Sequence, residues 1–512
     1  MLSLPPERDA AGTQTRPKGL TRRKTGGSGL LEAKLFIGGH AVAANDSATY
    51  DRLDPITNRI ATRAAAATRN DALEAANSAA AAFPVWSATT PEQRADILSR
   101  AADILIARTG EFVAVMAEEI GAAAGWAQFN CQIASEILRH AAGMTDCLTR
   151  QESAAGPDGA QSVIVRQPAG VVLGIAPWNA PVVLGARAIA MPLACANTAI
   201  LKASELSPKT HSLIIEILAE AGLPDGAANL VTNAPEDASE IVEALIAHPA
   251  VRRVNFTGST RVGRDVAEVC ARHLKHCLLE LSGKAPLIVL DDADIDEAVK
   301  AAAFGAFFNQ GQICISTERI IVDRKVADGF MERFVRKAQS LEAGDPRTDD
   351  VPLGSMISAN AAMRVKGLVE DAVSKGADLL VGGGLKNTIM QATVLDNVSS
   401  TMRIYNEESF GPVAVVIRVN GTDEAIAVAN DTEFGLAAAV FGRDTDRAMA
   451  VAQQLETGIC HINGPTVQDD PAMPFGGMKA SGYGRFGGDA GVHEFTELRW
   501  ISTLETPRDY PI

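Results

Sequence analysis

From Ser162 to Phe256 short apolar runs alternate with longer segments whose apolar residues recur three and four positions apart, and this alternation leaves few folds open. Residues 162–166 and 170–177 read as strands, the second apolar almost throughout. A helix over 182–193, a strand over 198–202, a helix over 208–221, a strand over 228–231, a helix over 238–247 and a strand over 251–256 follow. Neighbouring parallel strands need a crossover of a dozen or more residues, and strands buried on both faces lose the apolar–polar alternation of a half-exposed sheet. The pattern therefore predicts an α/β fold with a doubly wound, mostly parallel sheet. It restarts at 287–290 with a helix running toward Asn309, which predicts a second α/β domain. Upstream, order is expected to begin near 35–39, and residues 71–82 and 91–120 read as Ala-rich packed helices. Residues 83–86 read as a break between them, because Pro84 disfavours helix at the residue before it.

At 512 residues the chain exceeds what one core usually serves, so two or three domains are expected. A hydrophobic share of 47% beside 21% charged residues describes a soluble globular protein, and a net charge of -15 argues against nucleic acid as a partner. No stretch reaches the roughly 20 uncharged apolar residues of a membrane span. The seven cysteines are scattered, odd in number and without a CxxC, which points to a reducing compartment, the cytoplasm, over a disulfide framework. The first 30 residues lack the apolar core of a secretory signal. Arg16, Lys18, Arg22, Arg23 and Lys24 amid Gly, Thr and Pro suggest a flexible extension; a transit peptide or a nucleic-acid arm is the alternative.

Three groups carry the chemistry. Cys314 follows the glycine-softened stretch Gln310-Gly311-Gln312-Ile313, Glu280 ends a strand-like run before Leu281-Ser282-Gly283-Lys284, and Asn179 lies in Pro177-Trp178-Asn179-Ala180-Pro181. A thiol, a carboxylate and a side-chain amide supply a nucleophile, a base and an oxyanion donor, the set for covalent chemistry on a carbonyl. A lone cysteine is as often a core residue, but the polar neighbours of Cys314 do not suit a core.

Residues 256–263, with Gly258 and Ser259, join a strand to a helix read over 264–273. Amides at that helix start, with the Ser259 hydroxyl, make a diphosphate seat; a plain strand–helix turn is the competing reading. Glu205, near Lys202 at a strand end, is placed to accept both hydroxyls of an adenosine ribose, favouring NAD over its 2′-phosphorylated relative; an exposed ion pair is the competing reading. Residues 482–487 match GxGxxG but follow turn-rich sequence instead of a strand, and are set aside. Cys270, His273, His276 and Cys277, read as two turns of one helix, tempt a zinc site, but His276 would face away from the others, so no metal is expected.

Taken in order, residues 177–181, 202–205, 256–263, 280–284, 311–314, 408–412 and 474–484 resemble the NAD(P)-dependent aldehyde dehydrogenase superfamily, over a span from about residue 35 to the C-terminus. The resemblance implies a Rossmann-type NAD-binding domain over 35–147 and 169–281, a catalytic domain over 282–487, and a small β oligomerisation element over 148–168 and 488–512, with 1–34 as extension. A homodimer or homotetramer is implied. Cys314 would attack the aldehyde, Asn179 and the Cys314 amide would hold the oxyanion, and Glu280 would activate the water that hydrolyses the thioester. Lys202 and Glu205 would hold the adenosine ribose, Ser259 the diphosphate and Glu408 the nicotinamide ribose. Trp178, Phe410, Ile175, Ser204, Gly258 and Leu281 complete the implied cofactor contacts, with NAD preferred to NADP.

Two departures touch proton relay: Phe486 follows Arg485 where many members carry glutamate, and Ala188 stands where many carry lysine. Residues 180–195 look like those of salicylaldehyde and vanillin dehydrogenases. If a helix starts after Asn179, Val183 and Arg187 follow at i+4 and i+8 on its face and point into the substrate tunnel, with Trp126 as a second wall. The substrate expected is a small aromatic aldehyde with a ring hydroxyl or methoxyl, bound by Arg187 and Trp126. The rivals are an aliphatic or succinic semialdehyde dehydrogenase, with Arg187 pairing a carboxylate, and a catalytically silent binding or structural protein on the same fold.

Overall fold

The computed structural model describes residues 30–153 and 160–504, with Tyr510 and Ile512. The extension expected at the N-terminus lies, up to residue 29, outside the described residues. An eight-stranded sheet runs in the order Gly482–Tyr483, His276–Glu280, Val251–Thr257, Val171–Ile175, Thr198–Lys202, Ala228–Val231, Leu35–Ile37, His40–Val42, and its second to sixth strands are parallel. Alternate residues of the central strands feed two separate cores. Val172, Ala199 and Leu201 pack with the wholly buried helix Pro181–Ala194, whereas Leu173 and Ile200 pack with Ala72, Ala75 and Ala76 of helix Arg69–Ser87. Both faces are covered, which is why the strands are apolar at every position.

Val171–Ile175 is the first of the parallel strands in the chain yet lies third of the five in space. The chain winds outward from it through Thr198–Lys202 and Ala228–Val231, then returns to its other side with Val251–Thr257. Crossovers leave in opposite directions there, so the carboxyl ends of Val171–Ile175 and Val251–Thr257 border a crevice, the usual ligand position in open α/β sheets. Pro177, Asn179, Gly258, Ser259 and Glu280 all follow or close strands on this side.

A second sheet of seven strands, Asp378–Val381, Thr393–Asp396, Val413–Val419, Arg319–Asp323, Pro286–Val289, Ala437–Phe441 and Ile459–Ile462, is parallel except at its first pair. A third, antiparallel, orders Thr496–Thr503, Gln161–Pro168 and Arg150–Ser153.

Several expectations are corrected. Helix Arg69–Ser87 runs through Pro84. The proline sits in the final turn, where its missing N–H forfeits one bond, and the fully buried Trp86 beyond it anchors the helix end. Residues 91–120 are two helices, Pro91–Ala107 and Thr109–Ile120, hinged at Arg108, whose guanidinium pairs with Glu111, Glu216 and Glu220. The helix expected at 264–273 starts earlier, at Thr260, because the Ser259 hydroxyl caps it by accepting the Val262 N–H. That helix stops at Arg272, so His276 and Cys277 lie on the next strand and not on one helix with Cys270. Leu31–Ala33, assigned to the extension, is a strand paired with Ile60–Ala65; three residues are too few to display a period.

Candidate active site

Helix Ile295–Phe307 ends in a tight turn, Phe308–Gly311, where Asn309 and Gln310 take left-handed φ values of 49° and 56°. Side chains outside glycine pay for this region with strain, which surrounding bonds must hold. Gln312 does so: its Nε2 donates to the carbonyls of Asn309 and Ser355, and its Oε1 accepts the Ile357 N–H at 2.9 Å. Gly311 cannot be replaced, since a Cβ there would lie 2.2 Å from the Gly411 carbonyl oxygen. The turn delivers Cys314 beside Asn179. The Asn179 amide donates one Nδ2 proton to the Gln312 carbonyl at 3.1 Å, which leaves the second for an oxyanion. The Asn179 backbone carbonyl accepts Asn309 Nδ2 at 3.1 Å and the Trp126 indole N–H at 2.9 Å.

Glu280 closes its strand 1% exposed, with only the Cys314 thiol and the Thr257 hydroxyl, among the described residues, as hydrogen-bonding neighbours of its carboxyl. Burial raises its pKa to about 7, against the smaller downward pull of Cys314 and Arg187. The Cys314 thiol is pushed well up, first by burial and then by the Glu280 carboxylate beside it. A protonated thiol therefore rests against a carboxyl poised near neutrality, an arrangement suited to exchanging a proton between them.

Two cavities meet at this point. One, of about 370 Å³, is lined by Pro177, Trp178, Thr257, Gly258, Ser259, Glu280, Ser282, Arg364, Glu408 and Phe410. The other, a narrow one of about 40 Å³, is walled by Trp126, Phe129, Val183, Arg187, Asp469 and Phe475, among others. Asn179 and Cys314 are the residues common to both. A nucleophile and its oxyanion donor thus sit where two separate binding spaces touch. A model of the Aldehyde dehydrogenase family matches residues 42–501. The chain belongs to the aldehyde dehydrogenase family. It is 56% identical to a vanillin dehydrogenase of Pseudomonas fluorescens over 483 residues, 94% of this chain and 100% of that one. It is 48% identical to a salicylaldehyde dehydrogenase of Pseudomonas putida over 482 residues, again 94% and 100%. Among solved structures, a salicylaldehyde dehydrogenase from Pseudomonas putida G7 complexed with salicylaldehyde superposes with a TM-score of 0.92 at 48% identity, covering 94% of this chain and 100% of that one.

Of the cofactor residues expected for an aldehyde dehydrogenase, Trp178, Gly258, Ser259, Glu408 and Phe410 line the larger cavity, while Ile175, Lys202, Ser204, Glu205 and Leu281 lie outside its lining. Lys202 and Glu205 are ion-paired, and Glu205 Oε1 also accepts Asn233 Nδ2 at 3.1 Å. The Ser204 hydroxyl is committed to a turn, accepting the Leu206 N–H. Leu281 packs on Gly263, where a Cβ would lie 2.4 Å from its Cδ2, so its side chain fixes the helix–strand spacing. Glu408 Oε1 accepts the Gly283 N–H at 2.9 Å, and burial with the nearby Glu318 raises its carboxyl to about 7. Phe410 meets Trp178 edge-on at 5.8 Å.

Glu318 escaped the sequence reading. Buried, it receives Lys284 Nζ at 2.7 Å, the Ser409 N–H and hydroxyl, and the Phe410 N–H, and so pins the loop that carries Glu408. An interior lysine demands a buried acid, so Lys284 was the available signal. Phe129, stacked on Trp126 at 5.5 Å, stands three residues along the same helix and was findable by that spacing.

Val183, Arg187 and Trp126 line the smaller cavity, and Arg187 meets there an acid that the sequence reading did not name. It is ion-paired with Asp469, and its guanidinium carbon lies 4.3 Å from the Phe475 ring centroid and 6.0 Å from that of Phe486. Buried guanidinium groups need a counter-charge, and the spacing of residues could not say which acid supplies it. The two relay departures are both buried: Phe486 packs near Arg187, and Ala188 fills the space over Gly174. Among the described residues no group of three or more His, Cys, Asp or Glu side chains is arranged to hold a metal, and no helix is long and apolar enough to cross a membrane.

Proposed function

We propose that the protein oxidises an aromatic aldehyde, a hydroxy- or methoxy-benzaldehyde such as salicylaldehyde or vanillin, to the carboxylic acid with NAD. The observation that carries this reading is the aromatic-walled cavity opening onto Cys314 and Asn179; the similarity to vanillin and salicylaldehyde dehydrogenases supports it. Glu280 takes the thiol proton, and Cys314 Sγ bonds to the aldehyde carbon to give a thiohemiacetal. Asn179 Nδ2 and the Cys314 N–H hold the oxygen. NAD, when bound, supplies the two-electron acceptor that turns this adduct into a thioester. Once the thiol proton has passed from Glu280 to solvent, the carboxylate removes a proton from water as its oxygen attacks the thioester carbon, the C–S bond breaks to return Cys314 as thiolate, and the acid leaves.

The larger cavity fits a dinucleotide: it combines the Ser259-capped helix start for phosphate with the Glu408 carboxyl for a ribose hydroxyl. Glu205, already negative where a 2′-phosphate would come, favours NAD over NADP. We assign residues 35–147 and 169–281 to cofactor binding, 282–487 to catalysis and 148–168 with 488–512 to assembly. Strand Thr496–Thr503 exposes Leu498 and Trp500, which suits a homodimer or homotetramer. The seven free cysteines suit the cytoplasm.

NADH formation from a panel of aldehydes tests the reading. Benzaldehydes should exceed hexanal and succinic semialdehyde in kcat/KM. Preference for succinic semialdehyde would refute it, as would silence toward every aldehyde. The pairing of Arg187 with Asp469 weighs against the succinic semialdehyde reading, since the cation is already matched.

A further inference from the structure

We propose that Asp469 determines specificity in the substrate cavity by accepting a hydrogen bond from the ring hydroxyl of a phenolic aldehyde, an assignment that rests on the aromatic-aldehyde reading above and narrows it. Asp469 Oδ2 accepts from Arg187 Nη2, but Oδ1 is buried with no hydrogen-bond partner among the described residues. A buried acceptor left without a donor costs about 1–3 kcal/mol, more when charged, so such an atom calls for a ligand or another explanation. Asp469 lines the same cavity as Cys314. It also borders, with Ile137, Met191 and Phe486, a small adjoining space.

The other polar side chains of the substrate cavity are mostly spoken for. Asn179 serves the oxyanion position, and Arg187 is held by Asp469 and over the Phe475 ring. That held guanidinium in turn fixes the carboxylate, so Oδ1 presents its lone pairs in a set direction. A phenolic O–H supplies the missing proton. A methoxyl oxygen does not, and neither does an alkyl chain.

The test compares 4-hydroxy- and 3-hydroxybenzaldehyde with the corresponding methoxybenzaldehydes in kcat/KM, for the native enzyme and for Asp469→Asn. In that variant Arg187 should draw the amide oxygen toward itself and leave the amide N–H₂ where Oδ1 had been, exchanging acceptor for donor. The native enzyme should favour at least one hydroxyl isomer over its methoxy partner by roughly 10- to 100-fold, and Asp469→Asn should bring that ratio close to unity. Benzaldehydes oxidised well by the native enzyme, but with equal rates for hydroxyl and methoxyl partners, overturn the assignment without touching the parent reading. A native preference that survives unchanged in Asp469→Asn does the same. Failure of the native enzyme to oxidise any benzaldehyde, while alkyl aldehydes turn over, sinks the parent reading and this one together. The native substrate ratio decides even if the variant does not fold.

Discussion

Glu280 should be a liability to the fold, and the size of that liability follows from its surroundings. The carboxyl is 1% exposed and raised from its ordinary 4.5 to about 7 by desolvation, which outweighs the pull of its Cys314 and Thr257 neighbours. As pH rises past 4.5 the unfolded chain gives up this proton first, whereas the folded chain keeps it until about 7. The folded state binds more protons across that window, so stability falls as pH climbs through it. Between pH 5.5 and 8.5 the loss comes to roughly 2 kcal/mol, from about 1.4 kcal/mol per pH unit over the part of the window those two values span. Glu280→Gln does not titrate and should not show this loss. Its new N–H₂ brings its own cost for an unpaired buried donor, but that cost is the same at both pH values. Thermal melts of the native enzyme and Glu280→Gln at pH 5.5 and 8.5, free of cofactor, isolate the effect as a difference of differences. The variant should gain on the native enzyme by about 2 °C on moving to pH 8.5. If the two proteins shift in parallel, the carboxyl is solvated or paired in solution, and the assignment of a base poised near neutrality by burial fails.

Cys314→Ala should abolish NADH formation from every aldehyde while NADH binding, followed by fluorescence, persists; residual turnover above about 1 part in 10³ would deny the thiol its role. Glu205→Ala should narrow the preference for NAD over NADP, measured as the ratio of kcat/KM values, by tenfold or more; an unchanged ratio would leave Glu205 as a plain partner of Lys202. Glu318→Gln leaves the wholly buried Lys284 without its counter-charge, which should cost on the order of 3 kcal/mol and raise the KM for NAD through loosening of residues 408–410. A raised KM for aldehyde with that for NAD intact would contradict this route.

The doubly wound sheet was legible because its strands are buried on both faces, so their apolar runs stand out against helices with a different period. Thr198–Lys202, Ala228–Val231 and the helix Ala238–Ala247 fall where the periodicity puts them. Boundaries set by one side chain were harder. Ser259 caps a helix that begins four residues before its expected start, and Trp86 carries a helix past a proline through contacts made far away in sequence. Cys314, Glu280 and Asn179 were legible as reactive types, and the resemblance ranked them, but only the fold brings them onto two touching cavities. The pairing of Arg187 with Asp469, 282 positions apart, has no local signature at all.

That long-range pair also bears on the chemistry at Glu280. An unmatched Arg187 would favour the ionised forms of both Glu280 and Cys314, and it does pull each downward. Asp469 opposes it at Glu280 and offsets part of that pull, and burial is the dominant influence on the base. The consequence is a site that keeps both thiol and carboxyl protonated for much of the time near neutrality, and ionises Cys314 as Glu280 becomes able to receive its proton. Pairing Arg187 with Asp469 therefore frees the cavity wall for a polar but uncharged ring while leaving the base to be set mainly by burial.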